Sequence, residues 1–236
     1  MSAVFKRELH AYFTTPIGYV FGALFLALTN WFFYLYNVVY LSASLSSVFF
    51  VMLVLLTLTT PILTMRLFSE EYRQKTDQLL LTAPVRPIEI VLGKFFSAFG
   101  VVAAVLACTL IFPLVVAIHG APNGAEIAGG YLAILCAAAA FIAIGLFVSS
   151  LTESQMLALL GTIGLFVLLL LLLLVRSSIP ASWAWLHAFI AWFSPYTRFS
   201  SFTQGIFPLN DLLFYVSLTA LFLFLSARLL EKKRWA

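Results

Sequence analysis

The sequence predicts an all-α polytopic membrane protein with six transmembrane helices, and three observations carry that prediction. Of the 236 residues, 63% are hydrophobic and only 9% are charged, which lies outside the composition of soluble globular chains. The apolar residues gather into six runs, each long enough at about 1.5 Å per residue to cross the hydrocarbon core. The charges are segregated: no Lys, Arg, Asp or Glu occurs between Glu8 and Arg66 or between Lys94 and Glu126, whereas nine of the 22 lie from Arg66 to Lys94. A charged side chain at mid-bilayer costs about 2.5–3.5 kcal/mol on insertion scales, so all nine are expected in water between two spans.

Taken in order, residues 2–15 place Val4, Phe5, Leu9, Tyr12 and Phe13 at helical spacing, with Lys6, Arg7, Glu8 and His10 between them. That pattern fits an amphipathic interface helix with its apolar stripe in lipid and its basic residues at anionic head groups. Pro16 and Gly18 break it from the first span, 17–40, which is too long for the apolar part of a signal peptide. The polar break at 41–47 makes a tight outer turn, 48–65 is the second span and 66–86 is the charged link. Pro87 and Glu89 open the third span, 88–118, with a proline in the first turn and an acid at the positive end of the helix dipole. Pro113 predicts a kink in it.

Residues 119–126 form a turn-rich loop before the fourth span, 127–148. In the short loop 149–155, Ser150 with Glu153 and Thr152 with Gln155 both fit a capping box for the fifth span, 156–175. Residues 176–210 hold Trp183, Trp185 and Trp192, broken by Pro180, Pro195 and Pro208. Their apolar stretch is about half the length a span needs, which predicts a re-entrant or interfacial hairpin. The sixth span is 212–230, and the chain reads as one transmembrane domain over 1–236.

Orientation follows from the basic residues. Lys6, Arg7, Arg66, Arg73, Lys75, Arg86, Lys94, Arg228, Lys232, Lys233 and Arg234 fall on one side, Arg176 and Arg198 on the other. By the positive-inside rule both termini and the charged link are cytoplasmic.

The net charge of +4 is scattered over span ends, not gathered on a face, which argues against nucleic acid. Cys108 and Cys136 sit in apolar runs without metal-ligand spacing, so no metal site is expected. His10, His119 and His187 lie in three separate segments, and no nucleophile and base occur at a spacing suited to catalysis. A phosphate-binding loop is missing too: the Gly93-Lys94 pair has Ile88 where the first glycine belongs and Phe95 where a Ser or Thr belongs. The chain is therefore expected to be no enzyme and to bind no cofactor.

Thr57, Thr60 and Thr64 form one hydroxyl stripe on the second span, readable as a translocation track or as hydroxyls bonding back within their own helix. In the charged link, Phe68, Tyr72 and Leu79 share a helical face, and Leu79, Leu80 and Leu81 precede the stop at Pro84. This suits a short surface helix that offers a charged, partly apolar knob to a cytosolic partner, or else an interfacial helix with none.

The order FKREL, YFTTPIGYV and LFSEEYRQKTDQLLLTAPVRPIEIVLGKF resembles the membrane subunit of ABC-2 type transporters, in particular the gliding-motility-associated permease branch. Glu70 and Glu71, Thr76, Leu79 and Leu80, Pro84 and Val85, and Gly93 with Lys94 stand where that family has EE, T, LL, PV and GK. The resemblance implies a permease of the bacterial cytoplasmic (inner) membrane. Such a permease pairs with a second copy or homologue and with cytosolic ABC-type ATPase subunits that hold the ATP and Mg. It further implies that Glu70, Glu71, Thr76, Asp77, Leu79 and Leu80 couple to the ATPase together with the interface helix of Phe5, Lys6, Arg7 and Glu8. Trp183, Trp185, Trp192 and Pro195 would belong to an outer gate. Substrates in the family range over polysaccharides, lipids, peptides and drugs. Two other readings stand beside transport: a scaffold that transmits ATPase motion to a periplasmic partner, and an intramembrane enzyme, which the missing nucleophile and base disfavour.

Overall fold

The computed structural model describes residues 2–75, 86–119, 123–178, 183, 185, 190, 192, 194–205 and 208–235. Among them the regular elements are all helical: α1 (Ser2–Thr14), α2 (Pro16–Phe33, continued by a π-helical turn at Tyr34–Val39), α3 (Ser46–Thr64), α4 (Ser69–Gln74), α5 (Pro87–Cys108), α6 (Ile111–His119), α7 (Gly124–Leu151), α8 (Gln155–Ser178), α9 (Pro195–Thr203) and α10 (Leu209–Trp235). Six stretches are long and apolar enough to cross a membrane: Pro16–Val39, Ser46–Gln74, Pro87–Ile118, Gly124–Leu151, Gln155–Leu172 and Leu209–Lys233. The polytopic all-α fold is thus the one the composition predicts.

Burial ranks the spans. The second and fourth are 67% buried and none of the others exceeds 33%, so α3 and α7 form the centre and the remaining helices ring them. Small residues let the two central helices meet: a Cβ on Gly145 would lie 2.2 Å from Thr64 Oγ1, and one on Gly130 would lie 2.3 Å from the Phe49 ring. Gly161 has only Val148 near it, and Gly164 faces open space.

The third span breaks at Thr109–Leu110, four residues before the proline that was expected to kink it. Pro113 has no N–H to give to the carbonyl of residue i−4, which is Thr109. That carbonyl accepts instead from Phe112 N at 3.0 Å and from the Tyr131 hydroxyl at 2.8 Å, so α7 supplies the bond that α6 lacks. The capping boxes also resolve differently. Helix α7 runs on to Leu151, with Ser150 Oγ donating to Phe147 O inside it, and Ser154 precedes α8 with its hydroxyl 3.5 Å from Leu157 N.

At the end of the bundle away from the termini, side chains tie the connections down. Asn37 Nδ2 donates to Ser42 O at 2.7 Å and Ser44 O at 3.0 Å, closing the turn around Leu41, whose φ of 53° is left-handed. Glu126 accepts from Ser44 Oγ at 2.6 Å and Leu45 N at 2.9 Å, binding the first turn of α7 to the loop before α3. Arg198 on α9 pairs with Asp211 on α10 at 2.9 Å. Hydrogen bonds to a charged group contribute about 1.5–3 kcal/mol each when well formed, less where exposed. Glu126→Ala is therefore expected to destabilise the protein by about 1–2 kcal/mol and to make the 40–45 loop a protease target. Thermal unfolding and limited proteolysis, with Glu153→Ala alongside, check this; equal behaviour of the two variants would refute it.

Candidate functional site

Both terminal segments meet α4 at the other end of the bundle: Arg7 pairs with Glu71, and Lys233 Nζ lies 3.6 Å from the centre of the Tyr72 ring. Helix α1 reaches there because its buried Tyr12 donates from its hydroxyl to Leu63 O at 2.9 Å, and because Gly18 leaves room for the Tyr12 carbonyl at the α1–α2 corner. Helix α4 is six residues long and ends where Lys75 turns left-handed at φ 56°.

The hub itself centres on Lys94, two turns into α5 and 1% exposed. Its Nζ lies 3.1 Å from Glu8 Oε1 and 3.0 Å from Glu71 Oε1, and donates to Leu67 O at 2.6 Å. Arg7 Nη2 is 2.6 Å from each of the same two carboxylate oxygens. Two cations thus face two anions, and α1, α4 and α5 are joined through a locally neutral group. Burial pushes the Glu8 carboxyl up, but Lys94 and Arg7 together outweigh it and hold that carboxyl below its ordinary range. A second layer stands beside the first. Arg66, 7% exposed, donates to Thr15 Oγ1 at 2.7 Å, lies 3.8 Å from Glu70 and covers the Tyr12 ring at 5.1 Å.

Ser149 completes the assembly from α7. Its Oγ accepts from Phe68 N at 3.1 Å and Ser69 N at 3.2 Å, and donates to Met65 O at 3.1 Å. Lys233 also donates to Ser150 O at 3.3 Å, so the end of α10 is held to the end of α7.

This geometry corrects several expectations. Lys94 and Arg66 are not in water between spans: both are buried, and the insertion penalty is met by paired charges and hydrogen bonds at the bundle end. Glu8 and Arg7 turn to Lys94 and Glu71, not only to a membrane surface, while Lys6 is exposed and Phe5 half-buried. Phe68 and Tyr72, assigned to a face for a partner, are 1% and 7% exposed and pack into the protein's own core. Glu71 points into the hub with its side chain 13% exposed, whereas Glu70 is 38% exposed. Beyond them Arg73, Gln74 and Lys75 are exposed. Thr76, Asp77, Leu79 and Leu80 lie outside the described residues.

Among the described residues the threonine stripe is enclosed. Thr57, Thr60 and Thr64 are at most 1% exposed; Thr57 donates to Leu53 O and shares a hydrogen bond with the Tyr196 hydroxyl at 3.0 Å, and Thr64 donates to Thr60 O. Thr57 and Thr64 bond back within their own helix, whereas Thr60 Oγ1 is buried with no hydrogen-bond partner among the described residues. Trp183, Trp185 and Trp192 are exposed, and Pro195 is buried at the start of α9. Of the hairpin expected over 176–210, the apolar stretch 183–193 falls largely outside the described residues, whereas 195–203 is the helix α9, with Tyr196, Phe199 and Phe202 buried.

Six apolar spans, with both terminal segments and the link between spans two and three locked together at one end, define a multi-pass membrane protein built around one ionic junction. The chain belongs to the ABC-2 family transporter proteins, whose family model matches residues 8–235. Members are membrane components of transporters and associate with an ATP-binding subunit. No curated protein matches the chain. Glu71 and Lys94, which carry part of the sequence resemblance, are the two ends of one ion pair.

Proposed function

We propose that this chain is the permease of an ABC exporter in the bacterial cytoplasmic membrane, working as a dimer with a homologous or identical copy. A separate ATPase holds ATP and Mg, and its closure moves α4 from the cytoplasmic side. The observation that supports this reading is the hub: Lys94 pairs with Glu8 and Glu71, which ties α1 and α4 to α5, so a push on α4 bears directly on the third span as well as on the second, from which α4 continues. The contact offered to the ATPase is Arg73 and Gln74 on the outward side of α4 with Lys75 at its end, and, next in sequence, Thr76, Asp77, Leu79 and Leu80. Rocking of the two permease copies against each other then alternates access for the substrate.

Reversing charge on that outward side tests the assignment. Arg73→Glu and Leu80→Asp are expected to insert normally and to lower recovery of the co-purifying ATPase at least tenfold, the first by like-charge or lost pairing and the second by burying an unpaired carboxylate. Membrane insertion, ATPase recovery and ATP turnover are measured beside Asn123→Lys. Wild-type recovery and turnover in both variants would remove α4 from the coupling path.

A further inference from the structure

A break between two helices strands the last carbonyls of one and the first N–H groups of the next, and where the break is buried each must find a partner. Between α3 and α4 the break is Met65–Phe68, and Leu67 and Phe68 are each 1% exposed. The Ser69 hydroxyl of α4 itself donates to Met65 O, and two side chains from other spans supply further partners. The Ser149 hydroxyl takes the N–H groups of Phe68 and Ser69 and gives its proton to Met65 O, which uses its one donor and both acceptor sites. Lys94 Nζ takes Leu67 O. A hydroxyl of α7 therefore caps the end of one helix and the start of the next at once.

We propose that Met65–Phe68 is the hinge on which α4 turns against α3, and that Ser149 is the positioning residue that sets its angle and passes its motion to α7. This rests on α4 being the helix that engages the ATPase. A six-residue helix has too few internal hydrogen bonds to hold its own direction, so its orientation is decided by the break at its start together with the hub contacts of Glu71 and Tyr72. One turn before Ser149, Gly145 brings α7 against Thr64, which keeps α3 fixed up to the residue where the break begins. A pin made of side-chain hydrogen bonds yields to a partner's pull in a way that a continuous helix does not. The assignment also separates Ser149 from its neighbour: Ser150 is equally buried, but its hydroxyl donates to Phe147 O inside its own helix and touches neither side of the break.

That contrast makes the experiment. Ser149→Ala and Ser150→Ala are compared in the permease and in its complex with the ATPase that co-purifies with it, reconstituted in nanodiscs. Amide hydrogen exchange at residues 68 and 69 is expected to quicken at least tenfold in Ser149→Ala, with exchange in the α3 and α7 cores unchanged. Permease-stimulated ATP turnover should fall at least threefold while the affinity of assembly stays at the wild-type value. Ser150→Ala should move none of these. Exchange at 68 and 69, or turnover, that matches the Ser150→Ala control overturns the proposal. If Arg73→Glu leaves assembly intact, or no ATPase is recovered with wild type, the coupling reading fails, and exchange in the permease alone still decides whether Ser149 pins the turn.

Discussion

Glu71→Lys will cost the protein about 3–5 kcal/mol, the range found when one partner of a buried ion pair is removed, and will abolish assembly with the ATPase as a consequence. The substitution leaves Arg7, Lys94 and the new lysine around the single carboxylate of Glu8. Lys94 is 1% exposed, so water does not replace the lost carboxylate at its ammonium. Glu70→Lys, one residue away, disturbs a half-exposed carboxylate 3.8 Å from Arg66 and should cost no more than about 1 kcal/mol. The double variant Glu71→Lys, Lys94→Glu restores the charge balance and should recover a measurable part of the lost stability. Thermal unfolding of the solubilised protein ranks the four chains; equal midpoints for Glu71→Lys and Glu70→Lys would disprove the hub.

The same cluster sets an acid limit. The Glu8 carboxyl titrates below its ordinary value of 4.5 in the folded protein, so its contribution is fully present above that value and is lost as pH falls through the lowered one. Glu8→Gln should flatten that part of the stability profile.

The six spans were legible because composition and charge segregation alone set them, and a helix that crosses a membrane satisfies its backbone within itself. Contacts between distant segments were not legible. Lys94 was assigned to water because of the cost of a charge inside the bilayer; the partners that let it be buried, Glu8 and Glu71, are 86 and 23 residues away. Ser149 read as a loop residue because its three hydrogen bonds all go to residues 65–69. The break at Thr109 lay within reach, since Pro113 identifies the carbonyl four residues back as the one left without a donor. The π-helical turn at Tyr34–Val39 carries no proline or glycine to announce it.

Gly145→Ala is expected to destabilise the bundle by about 1–3 kcal/mol, although alanine is the better helix former. The added Cβ would stand 2.2 Å from Thr64 Oγ1 and 2.8 Å from Thr64 Cβ, distances real side chains do not tolerate. Thr64 cannot swing aside cheaply: it is fully buried, its hydroxyl donates to Thr60 O at 3.1 Å, and α3 and α7 are the two most enclosed spans. The helices must separate instead, directly beside the Ser149 contacts, so the loss of stability should come with faster exchange at residues 68 and 69. Thr64→Ala removes the hydroxyl and methyl that collide, and in combination with Gly145→Ala should return part of the stability, a coupling that a double-mutant cycle measures. Gly164→Ala is the matching control, because nothing lies within 4 Å of the position its Cβ would take, and it should change stability by no more than about 0.5 kcal/mol. Midpoints for Gly145→Ala and Gly164→Ala that agree, or a Thr64→Ala change that adds to Gly145→Ala without coupling, would show that α3 and α7 do not meet at this glycine.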